Sequence, residues 1–436
     1  MNVLLVNTYD IGGAANACFI LHEGLLDQGV QSNVLLAHQQ KSRRNSFLYK
    51  KEQIKSSIKK QIKAKTLRIF KKFKLLKERP VCDNEVFLKS RPKGLEWYSF
   101  PDSKSDITQS ELYDETDIIN LHWVANFLDY KSFFEKNTKP VVWTLHDMNP
   151  FTCGEHFEEE YLGIDEFGFP IKREKSKEET RFDKENIAIK LLALSNVDNL
   201  SIVAPSEWLA EKARKSEAFK NKPIFCIPNG LDSEIYTPRD KNYSRELLSI
   251  PKDKHVILFV SDSIDKYRKG FDFLKKAFEK LADPNLVLCA IGDKNNELAA
   301  IDNVLGLGTI YDERLMSVAY SAADVFVIPS LMDNLPNTVL ESLMCGTPVI
   351  GFPVGGIPDM VQDGVNGFIT EEVSVDSLVK TINKFLNNPS RFNEIEIREN
   401  ALKKYDKKVQ SKEYIDLFTS VLNRKYIENK FKINSK

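Results

Sequence analysis

Two acidic residues, Asp333 and Glu341, lie eight positions apart in the segment PSLMDNLPNTVLESLMCGTP. Apolar residues before the segment predict a strand that ends shortly before Asp333, and Pro336 begins a helix at the position where proline is favoured. Ligands of open α/β sheets bind outside the carboxyl ends of the strands. A sugar nucleotide bound there could place hydroxyl groups against both acids and its diphosphate near the helix N-terminus. A capped helix with a solvated Glu341 explains the same spacing equally well.

A second candidate is the glycine-containing turn DIGGAA, which begins at Asp10 between a predicted strand and a predicted helix. Gly12 and Gly13 would let backbone amides approach a ligand, and the helix N-terminus would favour a phosphate or carboxylate. The dinucleotide fingerprint G-x-G-x-x-G does not fit, because Ala14 stands where its second glycine would be. A tight turn without a ligand is the alternative interpretation.

The elements that must position these residues alternate between apolar strand-like runs and helical patterns, which is typical of parallel α/β sheets. At 436 residues, the chain exceeds the size of one ordinary core, and two domains are expected. The turn-forming run IPNGLD starts at Ile227 and precedes a polar stretch that ends near Pro251. We therefore expect two α/β lobes with a boundary near 230–250.

Composition narrows the class of protein further. An apolar content of 42% and a charged content of 28% are those of a soluble globular protein. The six cysteines are scattered without a C-x-x-C pair, which argues against a structural zinc site or a disulfide framework. We expect a cytoplasmic protein.

Five short motifs follow one another in a fixed order. They are Asp10-Ile-Gly-Gly-Ala, Trp143-Thr-Leu-His-Asp-Met, Ala204-Pro-Ser-Glu-Trp-Leu, Ile227-Pro-Asn-Gly-Leu-Asp and Asp333-x7-Glu341. In this order they resemble glycosyltransferase family 4, a retaining family, over most of residues 1–40 and 117–425. The last motif resembles the family's E-x7-E motif with Asp in place of the first Glu. Its flanking residues resemble a bacterial surface-polysaccharide branch of the family.

This resemblance implies an α/β protein with the GT-B fold, in which two Rossmann-like lobes face a central cleft and a C-terminal helical segment follows. We place the acceptor-side lobe at 1–230, with a basic insertion at 40–80 and a loop excursion at 153–184. The nucleotide-sugar-binding lobe is placed at 231–410. A final helix at 411–436 is expected to return to the N-terminal lobe.

The resemblance also implies roles for the acidic motif and the glycine turn. Glu341 would hold the ribose hydroxyl groups of the donor. Asp333, with the backbone amides of Asn334 and Leu335, would meet the donor sugar. The same resemblance places Gly12 and Gly13 among the donor-binding residues.

Two cations of the C-terminal lobe would stabilise the departing nucleotide diphosphate. Lys269, immediately before Gly270, matches the family lysine. The family arginine has no counterpart at its usual position, so we take Arg268 as its substitute. Arg268 and Lys269 could instead be surface residues of a turn.

His146, in the motif that begins at Trp143, matches the family's active-site histidine, and His122 is a weaker candidate for the same cleft. A hydrogen-bonded structural histidine is the alternative. The chain contains no D-x-D motif, and the resemblance implies metal-independent chemistry without a cofactor. The acidic excursion that follows could select the acceptor or could be a solvated loop.

The segment 41–79 contains sixteen Lys and Arg against two Glu, a net charge of +14 in a chain whose total is zero. Its apolar residues recur at roughly helical spacing, which predicts one or two amphipathic helices. A solvated helical face is the simplest explanation. We favour peripheral binding to an anionic membrane surface, on the inner face of the cell membrane. No recognition motif for nucleic acid accompanies the segment.

The sequence therefore predicts a retaining glycosyltransferase that uses a nucleotide-diphosphate sugar. The resemblance implies a saccharide acceptor in bacterial surface-polysaccharide synthesis. A link of this acceptor to anionic polyprenyl diphosphate would explain the basic segment 41–79. Two alternatives stay open: a nucleotide-sugar epimerase or hydrolase of the same fold, and a catalytically silent sugar-binding protein.

Overall fold

A computed structural model of the chain describes residues 1–50, 83–263, 266–293 and 302–434. The strands in these ranges are β1 (Asn2–Asn7), β2 (Gln31–Leu36), β3 (Ser46–Leu48), β4 (Ile118–Leu121), β5 (Val141–Thr144), β6 (Tyr161–Ile164), β7 (Pro170–Lys172), β8 (Leu200–Ala204), β9 (Ile224–Cys226), β10 (His255–Ser263), β11 (Leu286–Asp293), β12 (Val304–Gly308), β13 (Val325–Ile328), β14 (Val349–Gly351) and β15 (Gly367–Ile369). The α-helices are α1 (Gly13–Asp27), α2 (Asp83–Ser90), α3 (Glu111–Asp114), α4 (Tyr130–Lys136), α5 (Lys177–Leu194), α6 (Glu207–Lys215), α7 (Lys241–Leu247), α8 (Phe271–Leu281), α9 (Glu313–Ala322), α10 (Asn337–Met344), α11 (Ile357–Met360), α12 (Val375–Leu386), α13 (Glu394–Tyr405) and α14 (Lys407–Asn434).

The N-terminal lobe contains a seven-stranded sheet in the order β3-β2-β1-β4-β5-β8-β9, and every pairing in it is parallel. Strands such as β1, β4 and β5 are buried almost along their whole length, because helices cover both faces of the sheet. The strand order reverses between β1 and β4. The glycine turn follows β1, so it lies at the point where open α/β sheets bind ligands.

The C-terminal lobe repeats this plan with a six-stranded parallel sheet in the order β12-β11-β10-β13-β14-β15. Its order reverses between β10 and β13, the strands that precede Lys269 and Asp333. The two sheets and their flanking helices confirm the predicted GT-B fold with two Rossmann-like lobes.

Helix α14 returns to the N-terminal lobe. It begins at Lys407, four positions before the predicted 411, and Leu231 donates its backbone N–H to Tyr405 just before it. Tyr414 and Phe418 are buried in the apolar core beneath β1 and α1. Gly24 of α1 allows the close approach, because a Cβ there would lie 2.8 Å from the Ser411 side chain.

The excursion predicted as a loop at 153–184 contains regular structure, so that part of the prediction is wrong. Strands β6 and β7 form an antiparallel hairpin, and α5 begins at Lys177 behind a capping box. The hairpin reaches the other lobe, where the Val375 N–H donates to the Gly168 carbonyl at 3.1 Å. Ion pairs between buried side chains stabilise its base, including Arg91 with Glu155 at 2.8 Å. Long-range pairing and buried charge order this segment without an apolar periodicity.

The basic insertion is described only at its start, where β3 adds an edge strand to the N-terminal sheet. Amphipathic helices are predicted for 41–79, and of this segment the structure describes only residues 41–50. The prediction for the rest of the segment lies outside the described residues. Among the helices that the structure describes, none is both long enough and apolar enough to cross a membrane.

Candidate active site

A cavity of about 490 Å³ lies between the two lobes, and its lining comes from both. The structure places all nine predicted site residues on its wall: Gly12, Gly13 and His146 from the N-terminal lobe, and Arg268, Lys269, Asp333, Asn334, Leu335 and Glu341 from the C-terminal lobe. These residues follow strands β1, β5, β10 and β13. They meet because the carboxyl edges of the two parallel sheets face each other across the cleft.

Arg268 and Lys269 belong to a 3₁₀ turn that follows β10, and both point their charges toward Asp333. Lys269 Nζ lies 2.8 Å from Asp333 Oδ2, and Arg268 Nη1 lies 3.3 Å from the same oxygen. Burial would raise the pKa of Asp333, but the two cations outweigh it and hold this pKa below its ordinary value. Gly270 follows with φ +68°, and a Cβ there would lie only 1.8 Å from the Pro329 carbonyl oxygen. The glycine therefore permits the cation turn to lie against the acidic loop.

The N-terminal lobe also holds Arg268. Its Nε donates to Glu96 at 2.7 Å, and its guanidinium group lies 4.9 Å from the centre of the Phe157 ring. Burial acts to raise the pKa of Glu96, whereas the positive charge of Arg268 lowers it below the usual range. The predicted substitute for the family arginine thus lies in the cleft, with a partner that the sequence analysis did not identify.

Glu341 lies on α10 and faces the cleft, where it accepts a hydrogen bond from the Tyr320 hydroxyl at 2.9 Å. Burial raises the pKa of Glu341 to about 7. The helix begins after Pro336, which provides no side-chain cap, so no capping side chain competes with an anion at its N-terminus. Gly356 packs closely against the loop that precedes α10, because a Cβ on Gly356 would lie 1.8 Å from the Asn334 carbonyl oxygen.

The glycine turn begins α1, a second helix whose N-terminus faces the cleft without a side-chain cap. Gly12 has φ +96°, and no heavy atom of the described residues lies within 4 Å of a Cβ built on Gly12 or on Gly13. The Asn337 amide reaches across from α10 and donates to the Gly13 carbonyl at 3.3 Å. Two uncapped helix N-termini therefore converge on one cavity.

His146 ends a chain of buried hydrogen bonds in the N-terminal lobe. Its Nε2 lies 2.9 Å from Nδ1 of His122, whose Nε2 lies 2.9 Å from the Asn120 side-chain oxygen. The Asn120 amide nitrogen donates to the Val142 carbonyl and to Thr144, which in turn bonds the Tyr414 hydroxyl of α14.

These hydrogen bonds determine the proton positions on the imidazole rings of His122 and His146. A carbonyl can only accept, so the Asn120 amide nitrogen faces Val142 and its oxygen faces His122. His122 must then donate from Nε2, and burial lowers its pKa well below the ordinary value, so it is neutral and accepts at Nδ1. His146 consequently donates from Nε2 and carries a lone pair on Nδ1. Burial lowers the pKa of His146 to about 4, so the ring is neutral near pH 7.

The cavity also contains residues that the sequence analysis did not select. Tyr9, Trp97 and Trp123 bring aromatic rings to the N-terminal wall, and Glu96 lies beside them. Asn229, in the turn between the lobes, donates to Asn337 at 3.0 Å. Of these residues, only Asn229 could have been selected from the sequence, because it belongs to the motif that begins at Ile227.

Within the described ranges, no three His, Cys, Asp or Glu side chains are grouped in a way that could hold a metal ion. The side chains of Arg268 and Lys269 and two helix N-termini line this cavity, and groups of these kinds can stabilise an anion. Chemistry without a metal stays a prediction.

The fold and this cavity define a GT-B protein whose C-terminal lobe presents cations and an uncapped helix N-terminus to the cleft. Residues 240–409 match the family described as "Glycosyl transferases group 1". The match lies within the C-terminal lobe and covers less than half of the chain.

Known proteins are similar to this chain in sequence or in fold. The chain is 32% identical over 186 residues to a D-inositol 3-phosphate glycosyltransferase of Streptosporangium roseum. The aligned region covers 38% of this chain and 42% of that relative. The match thus spans less than half the length of the relative. Two solved structures share the whole fold. Sucrose-phosphate synthase of Thermosynechococcus elongatus has a TM-score of 0.67 and 16% identity, and the alignment covers 97% of this chain and 100% of that chain. Anabaena HepE in complex with UDP and glucose has a TM-score of 0.63 and 16% identity, and the alignment covers 96% of this chain and 100% of that chain.

Proposed function

We propose that this protein is a retaining glycosyltransferase that transfers a sugar from a nucleotide-diphosphate donor to a saccharide acceptor. The observation that carries the proposal is the convergence of Arg268, Lys269 and two uncapped helix N-termini on one interlobe cavity. Transfer of a sugar adds one negative charge to the departing diphosphate, on the oxygen atom that held the sugar. Fixed cations and backbone N–H groups stabilise such charge as it develops, because they need no reorganisation during the reaction.

The donor would lie mainly on the C-terminal lobe. Glu341 faces the cleft one helical turn beyond the start of α10, so its carboxylate can accept hydrogen bonds from two ribose hydroxyl groups. The diphosphate would lie against Lys269, which uses one of its three N–H donors on Asp333. The HepE structure, which has a similar fold, contains UDP and glucose, and this supports a uridine nucleotide as the first donor to test.

His146 would act on the sugar from the opposite lobe. Its neutral ring carries a lone pair on Nδ1, which suits it to accept a hydrogen bond from a sugar hydroxyl group. The Asn334 amide also contacts the His146 carbonyl at 3.3 Å, so the two lobes already meet beside the reacting region. Such contact would exclude water, which otherwise competes with the acceptor.

For the acceptor, we propose a saccharide linked to polyprenyl diphosphate, used in surface-polysaccharide synthesis at the inner membrane face. The support is the net charge of +14 between residues 41 and 79, which would attract anionic lipid. Sedimentation with anionic liposomes at low salt tests it. Failure to sediment, or equal sedimentation after deletion of this segment, would exclude this role of the segment.

The transfer activity is tested by two substitutions that remove charge from the cleft. Lys269→Ala and Glu341→Ala should each lower the transfer rate by at least about tenfold, the scale of losing one charge-stabilising group. The control is Lys280→Ala, which removes an exposed lysine whose Nζ lies 2.6 Å from Asp376, outside the cavity. A panel of nucleotide sugars in a thermal-shift assay identifies the donor first.

Each outcome of this test has a distinct meaning. If the wild type binds a nucleotide sugar but transfers to no acceptor and does not hydrolyse the donor, the protein is a silent sugar-binding member. If Lys280→Ala lowers transfer as much as Lys269→Ala does, the cavity is not the reaction site. Inversion at the anomeric carbon in the product would contradict retention.

A further inference from the structure

Three aromatic side chains of the N-terminal lobe line the cavity, and none of them takes part in the donor contacts described above. They are Tyr9, Trp97 and Trp123, which we call the aromatic wall. Trp97 is 54% exposed, although an indole ring loses much apolar contact with protein by facing water. A large aromatic side chain held open at a cleft commonly serves a ligand.

The rings of the aromatic wall support one another. The Tyr9 and Trp97 ring centres lie 6.0 Å apart at 85°, and those of Trp97 and Trp123 lie 6.3 Å apart at 75°. Tyr9 and Trp123 are tilted by 35° with centres 5.8 Å apart. Edge-to-face pairs of this kind are favoured by the aromatic quadrupole, so the face of Trp97 has a defined orientation without a ligand.

Contacts behind the wall hold it further. The Trp123 indole N–H donates to Asp147 at 2.7 Å, and the His156 ring stacks on Trp123 with centres 5.4 Å apart. His38 stacks on Tyr9 with centres 5.0 Å apart and an angle of 17°. Because the Trp123 N–H is already satisfied, this ring offers the cavity an apolar surface.

The wall lies beside the reacting region but on the lobe opposite Glu341. Trp97 directly follows Glu96, whose carboxylate binds Arg268. Trp123 directly follows His122, which bonds His146. The wall therefore borders the cations on one side and the histidine on the other, where a molecule that attacks the donor sugar must lie.

We propose that the aromatic wall is a saccharide subsite, which binds a pyranose ring of the acceptor by stacking one apolar face of that ring on Trp97; this rests on the proposed function. The C–H groups of a pyranose face carry slight positive charge and are attracted to the negative face of an aromatic ring. Stacking also removes apolar surface of both partners from water. Sugars whose axial hydroxyl group projects from that face would fit less well, so Trp97 determines acceptor preference.

A nucleobase could also stack on tryptophan, and the position of the wall argues against it. Glu341 would hold the ribose on the C-terminal lobe, and the base would extend from the ribose away from the diphosphate. The wall instead lies across the cleft, next to the groups assigned to the diphosphate and the sugar.

The test is Trp97→Ala, with acceptor KM, transfer kcat and the Kd for UDP measured on the full chain. We expect acceptor KM to rise by about tenfold, while the UDP Kd and the rate of donor hydrolysis by water stay within about twofold. Trp97→Phe keeps an aromatic face and should restore most of the affinity. Phe167→Ala removes an aromatic side chain that is 72% exposed on the hairpin outside the cavity, and it should leave every parameter unchanged.

Two results would overturn the subsite. An unchanged acceptor KM in Trp97→Ala would show that the ring does not bind the acceptor. A loss of UDP affinity as large as the loss of acceptor affinity would assign the ring to the nucleobase.

Failure of the proposed function is separable from failure of this inference. If the wild type transfers to no acceptor, tryptophan fluorescence is titrated with methyl glycosides of glucose, galactose and mannose in the presence of UDP. Saturable quenching that disappears in Trp97→Ala supports a saccharide subsite in a protein that is not a transferase. No saturable quenching with any of the three glycosides overturns it.

Discussion

Replacing Glu341 with glutamine should stabilise the ligand-free protein above neutral pH while weakening its binding of a nucleotide. Burial raises the pKa of Glu341 from 4.5 to about 7, so the carboxyl group binds its proton more tightly in the folded state than in the unfolded state. The stability that such a group contributes is present below pH 4.5 and is lost as the pH rises to 7, because the folded protein must then bury a negative charge. Glutamine keeps a carbonyl oxygen for the Tyr320 hydroxyl and has no proton to lose.

The size of the effect follows from the shift in pKa. The difference between 7 and 4.5 is about 2.5 units, which corresponds to about 3 kcal/mol at 1.36 kcal/mol per unit. One side of Glu341 opens to the cavity, and screening by water there reduces the expected gain to about 1–2 kcal/mol. Glu341→Gln should therefore equal the wild type in stability at pH 4. The variant should become more stable between pH 4.5 and 7 and keep a constant advantage above pH 7.

The assay is urea unfolding, followed by tryptophan fluorescence from pH 4 to pH 8.5, with UDP binding measured by calorimetry at pH 8. The control is Glu399→Gln, which removes an exposed carboxylate on α13 of the same lobe. UDP should bind the Glu341→Gln variant at least about tenfold more weakly, as expected when a charged acceptor of two hydroxyl groups is lost. A stability difference that stays the same from pH 4 to pH 8.5 would refute the reasoning, because the wild-type carboxylate would then carry no burial penalty.

Three further substitutions test other parts of the cavity. Gly13→Ala should leave the melting temperature unchanged, since its Cβ meets no heavy atom within 4 Å in the part of the chain that the structure describes. The substitution should weaken UDP binding in calorimetry, and unchanged binding would favour a turn without a ligand. Gly356→Ala forces a Cβ to 1.8 Å from the Asn334 carbonyl oxygen, and urea unfolding should show a loss of about 1–3 kcal/mol; an unchanged midpoint would contradict the close packing of this loop. His122→Phe removes the group that accepts the His146 proton. Steady-state assays should show kcat lowered by about fivefold to tenfold at unchanged UDP affinity, because one hydrogen bond of about 1 kcal/mol is lost. An unchanged kcat would show that the hydrogen-bond chain does not orient His146.

Much of the fold and the core of the cavity could be predicted from local patterns. Apolar runs that alternate with helical patterns predicted two parallel sheets, and the structure confirms both. Residues that directly follow strands, such as Gly13, His146, Lys269 and Asp333, then had to meet at the carboxyl edges of those sheets. Their position follows from the chain direction of each strand, which is a local property.

Other features depend on contacts between distant parts of the chain, and no local pattern reports them. Glu96 binds Arg268 across 172 positions, and Tyr414 completes the hydrogen-bond chain of His146 from a helix of the C-terminal segment. The hairpin of β6 and β7 carries an acidic, irregular sequence that suggests a solvated loop. It is ordered by buried ion pairs and by docking on the other lobe, neither of which has a period along the chain.

Asp333 and Glu341 show most clearly what the sequence alone predicts and what only the tertiary structure decides. Their spacing, the proline before the helix and the strand before the loop are properties of consecutive residues, so the sequence alone places both acids near one strand end. The structure decides their different states. Asp333 lies against two cations, which keep its pKa low, whereas Glu341 faces tyrosine hydroxyls and the cavity, and burial raises its pKa to about 7. Charge neighbours and burial are set by residues from other elements, so only the folded chain could distinguish the two carboxylates.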